Sequence, residues 1–224
     1  MKELKDKVVL ITGAAGGIGL NTAGFFAEAG SRLVLTDINE MALENAKQRL
    51  AKHGVDILTK VVDVTDLKAV EGLRDDVVKK FGKLDVLINN AGIGYNAEIA
   101  DTPLSKWQQL MNINFWGVVH GSRAFTPQLQ ARPGSVIVNI SSIFAMVSMP
   151  TQSIYNASKA AVRGFSDALR EELRASGVRV LCVHPGGIQT RIAQQARLGD
   201  ISAVADTPQA LHEAGDLLQA AGDL

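Results

Sequence analysis

Six short apolar runs separated by five amphipathic stretches constrain the fold of this chain more than any other feature. Residues 7–12, 32–37, 57–62, 84–89, 135–140 and 178–184 read as strands, most of them apolar on both faces. That is the pattern of strands buried on both sides of a parallel sheet. Residues 18–29, 40–53, 67–81, 103–125 and 153–176 carry helical periodicity between them. Regular alternation of strand and helix implies right-handed crossovers. The expected fold is therefore α/β, a Rossmann-type doubly wound parallel sheet of six to seven strands with helices on both faces. No internal repeat, low-complexity tract or linker interrupts it, and 224 residues fit one domain. Residues 1–190 carry this alternation, and 191–224 are expected as a lid segment and tail of the same domain.

The first strand ends in Thr12-Gly13-Ala14-Ala15-Gly16-Gly17-Ile18-Gly19, and a helix follows at once. Glycines allow a tight turn and a close approach of backbone to a pyrophosphate, and a helix N-terminus offers free N–H groups and a positive dipole end. A glycine cluster alone would equally serve an ordinary turn; its place between first strand and first helix favours a dinucleotide. Gly13, Gly17, Ile18 and Gly19 are the candidate contacts. The second strand ends at Asp37, about 20 residues on, where a carboxylate accepts hydrogen bonds from the adenosine ribose, with Ile38 beside it. Asp37 would also repel a 2′-phosphate, and no Arg or Lys stands beside it or in the turn. The expected cofactor is NAD rather than NADP. Asp37 also suits the entry of the following helix, and the two roles are compatible.

Bulk properties narrow the partners. Lys plus Arg and Asp plus Glu both number 23, which argues against nucleic acid, since a phosphate backbone calls for a basic face. No run is long and apolar enough to span a membrane, and residues 1–7 lack the apolar core of a secretory signal. Cytoplasmic location is the expectation. The single cysteine, Cys182, sits in an apolar run and reads as a buried core thiol. His53, His120, His184 and His212 show no metal-ligand spacing and read as structural or surface residues, so no metal is expected. Trp107 and Trp116 read as core or interface residues.

Further motifs follow in order: Asp63-Val64, Asn89-Asn90-Ala91-Gly92, Asn114, Ser142, Tyr155-Asn156-Ala157-Ser158-Lys159, and Pro185-Gly186 leading to Thr190. Together with the glycine turn, the chain resembles the short-chain dehydrogenase/reductase family over residues 7 to about 190. The resemblance implies that Asp63 and Val64 hold the adenine. It puts Asn90, Ala91 and Gly92 beside the adenosine ribose and sheet centre, and Pro185, Ile188 and Thr190 at the nicotinamide end. It implies Asn114, Ser142, Tyr155 and Lys159 as the catalytic group, with Tyr155 and Lys159 also touching the cofactor. Asn114 would hold a water linking Lys159 to solvent, the position of Gly117 favouring it over Asn112. Family spacing to the tyrosine selects Ser142 over Ser141.

The catalytic pair also follows from chemistry. Tyr155 and Lys159 are spaced i,i+4 and project from one helix face. A free phenol has a pKa near 10, and moving it toward 7 requires roughly 4 kcal/mol of preferential phenolate stabilisation. A nearby ammonium and a positive oxidised nicotinamide are the expected sources. Tyr155 would then exchange the alcohol proton as hydride passes to or from the nicotinamide, and the Ser142 hydroxyl would hydrogen-bond the substrate oxygen. Taken singly, a Tyr–Lys pair is usually a surface pair and a Ser-Ser pair a loop cap; their joint occurrence carries the reading.

Ala145 stands where the family often has glycine, and the stretch after Thr190 shows no final strand. The loop 143–150 is apolar and carries methionines, with Ile93 and Tyr95 expected at the same cleft. That pattern indicates a small-molecule secondary alcohol or ketone of lipophilic character. The alternatives are an NAD-binding sensor without turnover, or a lyase or dehalogenase on the same scaffold; retention of Tyr155 and Lys159 weighs against both. Apolar residues such as Phe115, Trp116 and Phe165 on the two long helices exceed one sheet-facing stripe. By the family's helix pairing, the expected assembly is a homodimer or homotetramer. The strand at 178–184 is expected at the sheet edge without a seventh neighbour. The tail, with a helix-like stretch at 208–221, offers no β-branched run to cover it. The expectation is a longer natural chain or a capping partner subunit.

Overall fold

The computed structural model describes residues 3–186 together with the backbone pairing of residues 197–198. Six strands make one wholly parallel sheet: β1 (Val8–Thr12), β2 (Arg32–Asp37), β3 (Ile57–Val61), β4 (Val86–Asn89), β6 (Val136–Ile140) and β7 (Arg179–Val183). Their spatial order is β3-β2-β1-β4-β6-β7. Three helices, α1 (Gly17–Glu28), α2 (Glu40–Leu50) and α3 (Leu67–Phe81), alternate with the first four strands. Then come α4 (Leu104–Met111), α5 (Gly117–Gln130) and α6 (Ser153–Leu173). This is the Rossmann-type architecture expected from the alternating pattern.

Successive residues of β1 point to opposite faces, so each face gathers its own core. Val8 and Leu10 pack with Leu73, Phe125, Leu129 and Leu169. Val9 and Ile11 pack with Ala23, Leu33, Leu35 and Leu43. Helix starts are fixed by local side chains: Asn39 Oδ1 accepts from Ala42 N at 3.0 Å, and Asp66 Oδ1 accepts from Lys68 N at 2.9 Å. Strand order reverses between β1 and β4, paired through Val9↔Val86 and Ile11↔Ile88. Open sheets bind ligands at such a switch point, outside the carboxyl ends of the strands. Here the glycine turn after β1 faces Asn90–Gly92 after β4.

Four features differ from the sequence reading. The span 103–125 is not one uniform helix: α4 passes into a π turn at Asn112–Trp116 before α5 begins. Helix α5 then runs past residue 125, where the helical pattern of the sequence ends, through Pro127 to Gln130. Two further strands, β5 (Tyr95–Asn96) and β8 (Arg197–Leu198), pair in parallel as a separate small sheet. Cys182 is half-buried, its Sγ 3.7 Å from His184 Nε2, rather than a fully buried thiol. Among the described residues β7 pairs only with β6, and Leu181 and Val183 are exposed along it. Ile188, Thr190, the expected lid and the helix-like stretch 208–221 lie outside the described residues.

Candidate active site

The turn after β1 is shaped by backbone that only glycine adopts freely. Gly13 has φ +64° and Gly17 φ +53°, both in the left-handed region. A Cβ on Gly13 would stand 2.8 Å from Ala91 Cα, and one on Gly19 would meet Gly13 O and stand 2.7 Å from Asn90 Nδ2. The two loops are stitched together. Thr12 Oγ1 accepts from Asn90 N (2.9 Å) and Ala91 N (3.0 Å), while Asn90 Nδ2 donates to Thr12 O (2.9 Å) and Gly13 O (3.1 Å). No side chain caps the start of α1, and the space around Gly16 and Gly17 is open. Free N–H groups at a helix start beside open space fit a pyrophosphate. Asp37 accepts from Ala15 N through Oδ2 (3.1 Å) and from Asn39 N through Oδ1 (3.1 Å), and its carboxylate keeps further lone pairs for a ribose.

One cleft of about 1000 Å³ runs along this edge. Gly13, Gly17, Ile18, Asp37, Ile38, Asp63, Val64, Asn90, Ala91 and Gly92 line it, as do Ser142, Tyr155, Lys159 and Pro185. Of the described site positions singled out in the sequence, only Gly19 and Asn114 do not line this cavity; Ile188 and Thr190 lie outside the described residues. Gly19 is buried behind the turn. Asn114 is fully buried in the π turn, and its side chain is committed to protein partners. Its Oδ1 accepts from Ile93 N at 2.8 Å; its Nδ2 donates to Ile93 O at 3.0 Å and to Ser158 Oγ at 3.1 Å. These bonds clamp Ile93 to α6 from behind the cleft wall. π turns recur where a helix must present a residue out of register, and this one turns Asn114 inward.

Helix α6 brings Tyr155 and Lys159 to the cleft on one face. Lys159 is only 3% exposed, and its ammonium donates from Nζ to Ile140 O at 3.0 Å. Burial lowers its pKa to about 8. Its Nζ stands 5.7 Å from the centre of the Tyr155 ring. Burial pushes the Tyr155 phenol above its ordinary value, with a hydrogen bond to Ser142 pulling the other way. Within the protein alone burial dominates at the phenol and holds it above its ordinary value. Ser141, the neighbour set aside in the sequence, points away and donates from Oγ to Lys159 O at 2.9 Å. Ser142 Oγ accepts from Phe144 N at 3.2 Å, which leaves its O–H free to donate.

The expected apolar substrate wall is only partly present. Ile93 and Phe144 line the cleft, but Tyr95 and Met149 are buried in the core and Met146 points to solvent. Tyr95 packs instead with Ala97, Leu110, Ile154 and Trp107. Amide side chains that the sequence did not flag, among them Asn96 and Gln152, share the lining. The loop before α6 is held tightly: Thr151 has φ +65° and its C=O accepts from Ala97 N at 2.9 Å. A non-glycine residue in that region marks strain held in place by its surroundings. Nothing in the sequence distinguishes Thr151 from an ordinary loop residue. Among the described residues no group of three or more His, Cys, Asp or Glu could hold a metal.

The sequence pattern of the short chain dehydrogenase family matches residues 7–200. The putative oxidoreductase SadH of Mycobacterium tuberculosis is 39% identical over 202 residues, covering 89% of this chain and 73% of that protein. The dehydrogenase/reductase SDR family member 7B of Xenopus tropicalis is 37% identical over 88% of this chain and 66% of its own. Among solved structures, a short-chain dehydrogenase/reductase from Burkholderia phymatum in complex with NAD superposes with a TM-score of 0.86 at 31% identity, covering 94% and 80% of the two chains. L-sorbose reductase from Gluconobacter frateurii, complexed with NADPH and L-sorbose, gives 0.81 at 36% identity over 84% and 72%. With the glycine turn, the parallel sheet and the convergent cleft, these matches show that the chain belongs to the short-chain dehydrogenase/reductase family, a family of oxidoreductases.

Proposed function

We propose that the protein is an NAD-dependent dehydrogenase/reductase that interconverts a secondary alcohol and its ketone, with Tyr155 as general acid and base. The observation that carries this reading is the convergence of Ser142, Tyr155 and Lys159 on the same cleft as the glycine turn and Asp37. When bound, the nicotinamide supplies the hydride acceptor or donor and, in its oxidised form, a positive charge. Gly13, Gly17, Ile18 and Gly19 would admit the pyrophosphate, Asp37 and Ile38 the adenosine ribose, and Asp63 and Val64 the adenine. Asn90, Ala91 and Gly92 would flank the sheet centre, and Pro185, Ile188 and Thr190 the nicotinamide end.

In oxidation the Tyr155 oxygen takes the proton of the substrate hydroxyl while Ser142 donates to the same oxygen. In reduction Tyr155 returns it. Burial raises the phenol, and Lys159, with the positive charge an oxidised cofactor would supply, would lower it. Lys159 would also hold the nicotinamide ribose, and Asn114 holds the wall behind it. Ile93 and Phe144 receive an apolar substituent of the substrate, and Asn96 and Gln152 can meet a polar group on it, which makes the substrate less uniformly lipophilic than the loop sequence alone implies. L-sorbose reductase, complexed with the sugar it is named for, is in keeping with such a polar group.

Asp37 supports NAD over NADP through repulsion of a 2′-phosphate. The solved relatives include both an NAD complex and an NADPH complex, so the choice rests on this chain's own residues. Trp116, at 48% exposure, with Phe115 and Phe165 in edge contact at 6.2 Å, supports a homodimer or homotetramer formed through this helical face. Light scattering that returns a monomer at micromolar concentration removes that part. A screen of secondary alcohols with NAD, read as absorbance of the reduced cofactor, tests the function itself. Turnover of at least one alcohol is expected; NAD binding with no turnover across the panel favours a sensor instead.

A further inference from the structure

We infer that His120 is a positioning residue for the adenine end of the cofactor cleft, acting through the main chain of Val64. The inference rests on the reading of Asp63 and Val64 as the adenine contacts. His120 Nδ1 lies 2.9 Å from Val64 O. A carbonyl only accepts, so the ring nitrogen carries the proton and donates it, an assignment fixed by the partner. The neutral ring protonated at Nδ1 and the charged ring both make this bond.

The same helix face grips Val64 a second time. Gly117 and His120 are i,i+3 on α5 and project together. A Cβ on Gly117 would stand 2.7 Å from Val64 Cγ2, so the Val64 side chain lies directly against the helix backbone there. One helical turn thus fixes Val64 by its side chain at one residue and by its carbonyl at the next contact. The rest of the loop is bonded mainly within itself: Asp63 Oδ1 accepts from Thr65 N (2.8 Å) and Thr65 Oγ1 (2.8 Å), and Asp66 N donates to Asp63 O (3.1 Å). Among the described residues, His120 is the one side chain outside this loop that donates a hydrogen bond to residues 63–65. Trp116, whose ring centre is 6.2 Å from that of His120, lies over its outer side.

The consequence is a mechanical link along one helix. The π turn at Asn112–Trp116 sets Asn114 against Ile93 and α6, and the next turn of α5 sets Val64. The wall behind the catalytic lysine and the adenine loop therefore share one support. Losing the His120 donor releases the carbonyl of Val64 without touching Tyr155, Lys159 or Ser142.

The test measures affinity of the full chain for NAD and for ADP-ribose, which keeps the adenosine and lacks the nicotinamide, alongside kcat at saturating NAD. His120→Phe, which keeps a ring against Trp116 and loses the donor, should weaken both ligands by a common factor of about threefold to tenfold, the range of one hydrogen bond. Its kcat should stay within about twofold of the parent. His120→Asn, whose amide nitrogen can occupy the place of Nδ1, should restore both affinities. If the unmodified protein fails to bind NAD, the cofactor reading itself fails. If it binds NAD and His120→Phe binds as tightly, this inference alone is overturned. A fall in kcat equal to the loss of affinity, or no rescue by His120→Asn, also overturns it, because His120 would then be a general packing residue.

Discussion

Between Thr12 and Gly19 the cleft is walled by main chain, whereas between Ser141 and Lys159 it is walled by buried polar side chains. The first region works by what is missing: Gly13 and Gly19 leave no Cβ where Ala91, Gly13 O and Asn90 crowd in, and the α1 start has no capping side chain. Little charge has to be desolvated to build it. The second region holds a lysine that is 3% exposed and a phenol whose burial raises its pKa. Burying these two groups is electrostatically costly. Close approach of backbone can be judged from spacing, but the state of buried ionisable side chains can be judged only once their surroundings are known.

Lys159 sits where the two regions meet, so its loss should break the contrast most severely. Lys159→Ala is expected to lower kcat/KM by roughly three orders of magnitude and to weaken NAD as well, measured by steady-state kinetics and by titration. Loss of kcat with untouched cofactor affinity would assign Lys159 wholly to the proton device.

The burial of the same residue makes a stability prediction. Its folded pKa of about 8 lies below the ordinary 10.5, so between these values the unfolded chain binds more protons than the folded one. The cost of burying the charge is present in full below pH 8 and disappears as the pH rises toward 10.5. Relative to Lys159→Met, the parent should gain on the order of 3 kcal/mol from pH 7 to pH 10.5, as read from denaturant midpoints. A pH-independent difference would mean that the ammonium is compensated inside the fold.

At the other end, Gly13→Ala should raise the Kd for NAD by about tenfold to a hundredfold through strain at φ +64° and the Ala91 contact. Its kcat at saturating cofactor should hold, which sharpens the division between cradle and proton device. The smallest effect is expected at Asp37, whose carboxylate is already shared with Ala15 N and Asn39 N. Asp37→Ser combined with Ile38→Arg should flatten or reverse a preference for NAD of roughly tenfold, measured as the ratio of kcat/KM for NAD and NADP. Equal ratios in the unmodified protein would remove Asp37 as the discriminating residue.

The contrast also explains how much was legible in the sequence. The close backbone approach at Gly13 and Gly19 was readable because it follows from the strand–turn–helix geometry itself. The topology was readable because buried parallel strands need both faces apolar. The π turn was hidden: residues 112–116 keep helical periodicity, and only the tertiary pull of Ile93 and Ser158 on Asn114 reveals it. The end of α5 was also displaced, since the helix continues past residue 125 and through Pro127. The loop residues Tyr95, Met146 and Met149 were assigned to the cleft from composition, and their directions depend on β5, α4 and the strained Thr151, none of which has a local signature. His120 looked idle because its partner is a main-chain carbonyl 56 residues away in sequence.

The account stands on the separability of cofactor cradle and proton device, and Tyr155→Phe tests that directly. Removing only the phenolic oxygen should leave the Kd for NAD within about twofold of the parent while kcat falls by roughly three orders of magnitude or more. A variant that kept about a tenth of the parent kcat would place the acid and base at another residue and contradict the account.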